Sequence, residues 1–253
     1  MRRNVHGRTV DFLGQSIVGG RYPVGSSLPP EPSLGDALGV SRTVVREAVK
    51  SLIAKGLLST GPKVGTRVLA QQHWNWFDPE VVAWQSHAGL SREFLRDLQE
   101  LRGIVEPAAV RLAAERATAA DIAELEAAYA GMTSSIEEGG DHVSHDLRFH
   151  QGLLGACHNR MLSQMGKALG ALLRTSFEIS TARANGPALS LPLHRAVLDA
   201  VIARSPRKAE RAILVLIDAA DDDIEAVLVS RRQLPALGRP APRQTARPKA
   251  ALR

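Results

Sequence analysis

The chain has 253 residues, 44% hydrophobic and only 4% aromatic, with a formal net charge of +6 and one cysteine. Cys157 alone excludes an intrachain disulfide framework, and no apolar run approaches the roughly 20 residues that span a bilayer. The basic start MRRNVHGRTVDFLGQSIVGG lacks the apolar stretch of a secretion signal, so the chain is expected to be cytoplasmic.

Charge divides the chain into three parts. Residues 1–72 carry ten Lys/Arg against four Asp/Glu, residues 73–230 fifteen against twenty-two, and residues 231–253 seven against none. Basic ends on an acidic body point to a polyanion-binding head on a body that stays clear of the polyanion.

Residues 8–19, with Val10, Leu13, Ile17 and Val18 apolar, predict a first helix that GGRYPVGSSLPPEPS stops. SLGDALGV predicts a short second helix with Ser33 as its N-cap and Asp36 three residues on, ended by Gly39. Ser41 caps a third, over which Val45, Val49, Leu52 and Ile53 share one face and Arg42, Arg46 and Lys50 recur every four residues on another. LLST and TRVLA around GPKVG predict a small hairpin. Helix, short helix, helix and hairpin make a winged helix-turn-helix over residues 1–72, whose last helix enters the major groove by its N-terminal turns. Ser41, Arg42, Thr43 and Arg46 on that helix, and Lys63, Gly65 and Thr66 at the wing, are the candidate DNA contacts. Arginine reads guanine O6 and N7 with two parallel bonds and neutralises phosphate.

Residues 73–90 gather Trp74, Trp76, Phe77 and Trp84 into an aromatic-rich linker, expected to clasp the two halves together. From 91 to 230 one helical pattern follows another, which predicts an antiparallel all-α bundle of six or seven helices able to hold a ligand between facing helices. Pro107 is expected to kink the first of them, and Thr118 with Asp121 to cap the second. Residues 231–253, rich in Arg, Pro and Ala, predict a disordered basic tail. The fold class is thus mainly α, a winged head on a helical bundle.

The stretch LPPEPSLGDALGVSRTVVREAVKSLIAKGLLSTGPKVGTRV resembles the GntR family of bacterial transcription regulators, and the helix order of 91–230 is similar to the FCD effector domain of its FadR branch. The resemblance implies a homodimer, a palindromic operator in double-stranded DNA, and a small organic or sugar acid as effector, with no membrane partner. Many members have Arg after the Glu that follows LP; here Pro32 follows Glu31, which removes one common DNA contact. The linker pattern on Trp74, Asn75, Asp78, Val81 and Trp84 resembles members that respond to hexonates such as galactonate, which implies a repressor released by such an acid.

DLRFH places Asp146 and His150 one turn apart, where they form either a salt-bridged surface pair or two ligands of a divalent cation. The FCD resemblance implies the cation, of the Zn, Ni or Mn class, with His194 as third ligand. Its fourth position falls near Leu216, which cannot ligate, so Asp146, His150 and His194 either hold a metal as an incomplete set or bind the effector without one. Arg102 is either the ion-pair partner of Glu106 or a clamp for the effector's carboxylate, and Arg174 is a second clamp candidate. Two rival functions use the same cluster: a metal-dependent enzyme, disfavoured because no further acid, base or nucleophile motif accompanies the three ligands, and a metal sensor.

Overall fold

A computed structural model describes residues 4–62 and 64–230. Lys63 and the tail 231–253, both singled out above, lie outside the described residues.

The first helix, α1 (Val5–Val18), starts three residues earlier than expected because the Asn4 side chain accepts the Gly7 N–H at 2.8 Å and supplies an N-cap. The second, α2 (Glu31–Leu38), corrects the reading of Ser33 as a cap. Pro30 is the boundary residue and Ser33 sits inside the first turn, because Pro32 there already has a helical φ and needs no N–H. Gly39 then turns the chain at φ +63° into α3 (Arg42–Ala54), whose N-cap Ser41 accepts the Val44 N–H. Val45, Ala48, Val49 and Leu52 form its buried stripe. Strands β1 (Leu58–Gly61) and β2 (Gly65–Val68) pair antiparallel with Leu58 opposite Val68. The Pro/Gly-rich stretch before α2 does more than stop a helix: Ser27 bridges Arg67 and adds an edge to the wing.

The linker is not an open connection. After a 3₁₀ turn at Gln71–His73 it forms α4 (Pro79–Ala88), capped by Asp78. Successive residues of α4 serve two cores. Val81 and Trp84 join the cluster built from α1, α3 and the wing, while Val82 joins that of the bundle. The Trp84 ring lies over Gly14 of α1, where a Cβ would stand 2.5 Å from it, and its Nε1 donates to Asp11 at 3.1 Å. Lys55, at the end of α3, pairs with Asp78 at 2.6 Å and Glu80 at 2.8 Å. Trp76 packs on Phe94 of the bundle, ring centroids 5.2 Å apart.

Six helices follow: α5 (Arg92–Arg116), α6 (Ala119–Glu137), α7 (His142–Ala156), α8 (Arg160–Ser180), α9 (Gly186–Ile202) and α10 (Pro206–Ser230). Thr118 and Asp121 cap α6 reciprocally. Pro107 is buried within α5, which continues through it. The core runs along α5, α7, α8, α9 and α10, with Phe149, Leu153, Leu173, Val197 and Ile213 fully buried.

Candidate functional site

Two surfaces carry chemistry. On the head, Arg42, Thr43 and Arg46 are exposed on the first turns of α3, and Ser41 spends its hydroxyl on the cap. Arg46 rests against Glu31, Nε to Oε2 3.2 Å, and Lys50 against Glu47 at 2.9 Å. Both pairs are exposed, so each holds its cation by little and yields it readily to a phosphate or a base edge. Gly65 is exposed at φ +76° and Thr66 is half-buried. Arg67, exposed on β2, adds a basic group to the wing that the sequence reading did not single out.

The second surface is a cavity of about 140 Å³ inside the bundle. Arg102 of α5, Asp146 and His150 of α7, Phe177 of α8, His194 of α9 and Leu216 of α10 help to line it. The spacing that put Asp146 and His150 one turn apart turns both inward, where they are 5% and 2% exposed, so the surface-pair reading does not hold. His194, also 2% exposed, arrives from α9. Asp146 Oδ1 lies 3.3 Å from His150 Nε2 and 3.1 Å from His194 Nε2. The other ring nitrogens are already engaged, His150 Nδ1 with Glu106 Oε2 at 2.6 Å and His194 Nδ1 with the Ser190 carbonyl at 2.9 Å. Both imidazoles therefore turn Nε2 to one carboxylate oxygen, an arrangement that needs positive charge at that point, either protons or a cation.

The donors fit a cation. Ligands about 2.0–2.2 Å from a metal stand about 3.0–3.5 Å from each other at octahedral or tetrahedral angles, as Asp146 Oδ1 does from both imidazoles, and a ligand atom from each of the three residues lies within 4.8 Å of the other two. Glu106 and the Ser190 carbonyl occupy the places of outer partners that orient ligating imidazoles. Leu216, 3% exposed, stands in the cavity wall and supplies no fourth donor. A metal here would be held by Asp146, His150 and His194, with its remaining positions open to the cavity.

Electrostatics tie the cluster together. Burial pushes Glu106 up, but the charges of Arg102 and His150 overcome it and bring the group down to about 2. Burial likewise opposes ionisation of Asp146, yet His194 and His150 hold its carboxyl well below the usual range. For His150 burial is overcome by Glu106 and Asp146, which raise the imidazole to about 9.

Arg102 satisfies both expectations in part. It is paired with Glu106, Nε to Oε1 2.7 Å, and it lines the cavity. At 1% exposure it also donates to Gln99 at 3.2 Å and Ser176 at 3.4 Å and lies 5.0 Å from the Phe177 ring centre. Arg174 is not among the lining residues. It donates to Ser144 at 2.9 Å, and its side chain is 40% exposed. Two functional candidates escaped the sequence reading. Glu106 was seen only as a partner of Arg102, not as the bridge to His150 on another helix. Arg183 lies between helices, where no periodicity marks it.

A winged head with an exposed basic helix, tied by a helical clasp to a bundle that buries a titratable cavity, defines a DNA-binding transcription regulator. The family model for bacterial regulatory proteins of the gntR family matches residues 7–68, and that for the FCD domain matches residues 97–219. The galactonate operon transcriptional repressor of Escherichia coli is 35% identical over 86% of this chain and 95% of its own. The Glc operon transcriptional activator of the same organism is 26% identical over 83% and 85%. A solved structure of Lar from Listeria monocytogenes shares the fold at a TM-score of 0.64, with 15% identity over 89% of this chain and 99% of that one. The chain belongs to the GntR family of bacterial transcription regulators, with an FCD domain behind its head. That family comprises regulators and not enzymes, which settles the rival enzymatic reading. Among the described residues no helix is long and apolar enough to cross a membrane.

Proposed function

We propose that the protein is a homodimeric repressor of a sugar-acid catabolic operon, released from its palindromic operator when a small organic or sugar acid binds in the bundle. The buried cavity carries this reading: three convergent donors and a guanidinium suit an acid bearing hydroxyls, and the cavity belongs to a chain whose head is of a DNA-binding family. Ser41, Arg42, Thr43, Arg46, Lys63, Gly65 and Thr66 are the proposed DNA contacts. Asp146, His150 and His194 would hold a divalent cation of the Zn, Ni or Mn class, which would supply Lewis acidity toward a carboxylate or hydroxyl oxygen of the acid. Arg102 contributes its cavity-facing edge, and Arg174, outside the lining, is left without a direct part.

The likeness to the galactonate operon repressor supports galactonate as effector and repression as the sign. The ligand shifts the equilibrium between two arrangements of the heads only by its differential affinity for them. The test is fluorescence anisotropy of the purified protein on its own upstream promoter, titrated with D-galactonate, L-lactate and glycolate, each with added zinc and with chelator. Release by one acid at concentrations that leave scrambled DNA unaffected is the expected result; no preference for the promoter over scrambled duplex refutes the reading. The three-donor cluster also supports a second reading, in which the cation is itself the signal. Metal that alters operator affinity without any acid would select it.

A further inference from the structure

We infer that Arg183 is the residue that takes the effector's carboxylate, giving up Asp223 to do so. The inference rests on the reading of the cavity as a small-acid site and names the group that recognises the acid.

A carboxylate needs a cation with donors to spare. Among the described residues lining the cavity, the lysines and arginines are Arg102 and Arg183 alone. Arg102 is largely committed: it is buried, its charge is matched by Glu106 through Nε, and its Nη1 donates to Gln99 and Ser176 with the Phe177 face 5.0 Å away, which leaves it only a cavity-facing edge. Arg183 is not. It stands between α8 and α9, its side chain is 43% exposed, and Asp223 of α10 is its ion-pair partner. Asp223 is itself only 8% exposed and lines the same cavity. The pair therefore spans from solvent at the rim to the cavity wall. A guanidinium so placed already bonds a carboxylate oxygen through Nη1, and an incoming carboxylate would be an alternative acceptor able to take two of its donors.

The exchange leaves no stranded charge. The other oxygen of Asp223 lies 3.7 Å from where a Cβ on Gly186 would project, at the start of α9. That helix has 17 residues; its Gly186 N–H is taken by the Arg183 carbonyl and Pro187 has none, but its dipole favours an anion there after Arg183 has left. Arg183 N–H donates to the Ser180 carbonyl at 3.2 Å, and Gly186 N–H to the Arg183 carbonyl at 3.0 Å, so the turn is held by its own backbone bonds and not by the side-chain pair alone.

Size points the same way. A cavity of about 140 Å³ is close to one that holds benzene, of about six heavy atoms, whereas a hexonate has about thirteen. The cavity is open toward solvent on the side where Arg183 is half-exposed, so an acid larger than that volume would extend past the Arg183–Asp223 pair.

Isothermal titration of wild type, Arg183→Ala, Arg183→Lys and Asp223→Asn with D-galactonate, L-lactate and glycolate tests this. Both Arg183 variants are expected to weaken the bound acid at least tenfold, Lys because it loses the two-pronged geometry. Asp223→Asn is expected to tighten it severalfold, because the competitor for the guanidinium is neutralised. A pair that merely fastened the turn to α10 would give the same sign for both partners. Kd within twofold of wild type in Arg183→Ala, or weakening in Asp223→Asn, overturns the inference while leaving the proposed function standing. If Arg183→Ala does not fold, Arg183→Lys and Asp223→Asn decide. Wild-type protein that binds none of the three acids overturns the proposed function and this inference together.

Discussion

Replacing Arg102 with alanine is expected to destabilise the bundle by about 3 kcal/mol. The guanidinium is 1% exposed and balances Glu106, itself 3% exposed. Removing one partner of a buried ion pair costs about 3–5 kcal/mol, chiefly because the other charge is left without compensation. Glu106 keeps His150 at 2.6 Å, which places the loss at the low end of that range. In a chain of this size about 3 kcal/mol lowers Tm by about 6–12 °C. The assay is thermal and urea unfolding of metal-stripped protein, for Arg102→Ala, Glu106→Gln and a double variant Arg102→Met with Glu106→Gln. Neutralising both partners is expected to restore more than half of the loss, since no lone charge stays buried. The acid limb should respond as well. Glu106, lowered from 4.5 to about 2, contributes stability that is present above pH 4.5 and lost as pH falls through about 2. Without Arg102 that loss is expected to begin at higher pH. An Arg102→Ala variant that loses less than about 1 kcal/mol, or a double variant whose loss is the sum of the singles, would refute the argument.

Arg46→Ala is expected to weaken operator binding by about 1–3 kcal/mol at matched salt if the arginine leaves Glu31 for a base edge; unchanged affinity in a gel-shift titration would remove it from the interface. Gly56→Ala meets two obstacles, a φ of +76° and the His73 carbonyl oxygen 2.0 Å from the new Cβ. A loss of at least about 2 kcal/mol in calorimetry of the head's unfolding is expected, with wild-type behaviour as the contrary result. Burial lowers the pKa of His142 from 6.5, against the pull of Asp146. The folded state thus favours its neutral form, and its contribution is present above pH 6.5 and lost as pH falls below that value. Between pH 7.5 and 5.5 the Tm of wild type is expected to drop more steeply than that of His142→Gln, and parallel slopes would discard the assignment.

What could be read from the chain alone was whatever depends on residues a turn or two apart. Ser41 and the Thr118–Asp121 pair are legible as caps because capping is settled within four residues, and the α3 stripe because helical period alone turns Val45, Val49 and Leu52 to one side. Ser33 failed by the same local logic, for Pro32 outweighs a hydroxyl in setting where α2 begins. Spacing placed Asp146 and His150 on one helical face without saying which way that face turns, and the family pattern brought in His194 and the leucine where a fourth donor would stand. The ordered clasp at α4, the bridge from Arg102 through Glu106 to His150, and the pairing of Arg183 with Asp223 were settled only by tertiary structure. Glu106 lies 44 residues from His150, and Arg183 lies 40 from Asp223. Contacts across such separations depend on the axial and rotational setting of whole helices, which follows from how complete apolar faces interlock and from no short pattern within either partner.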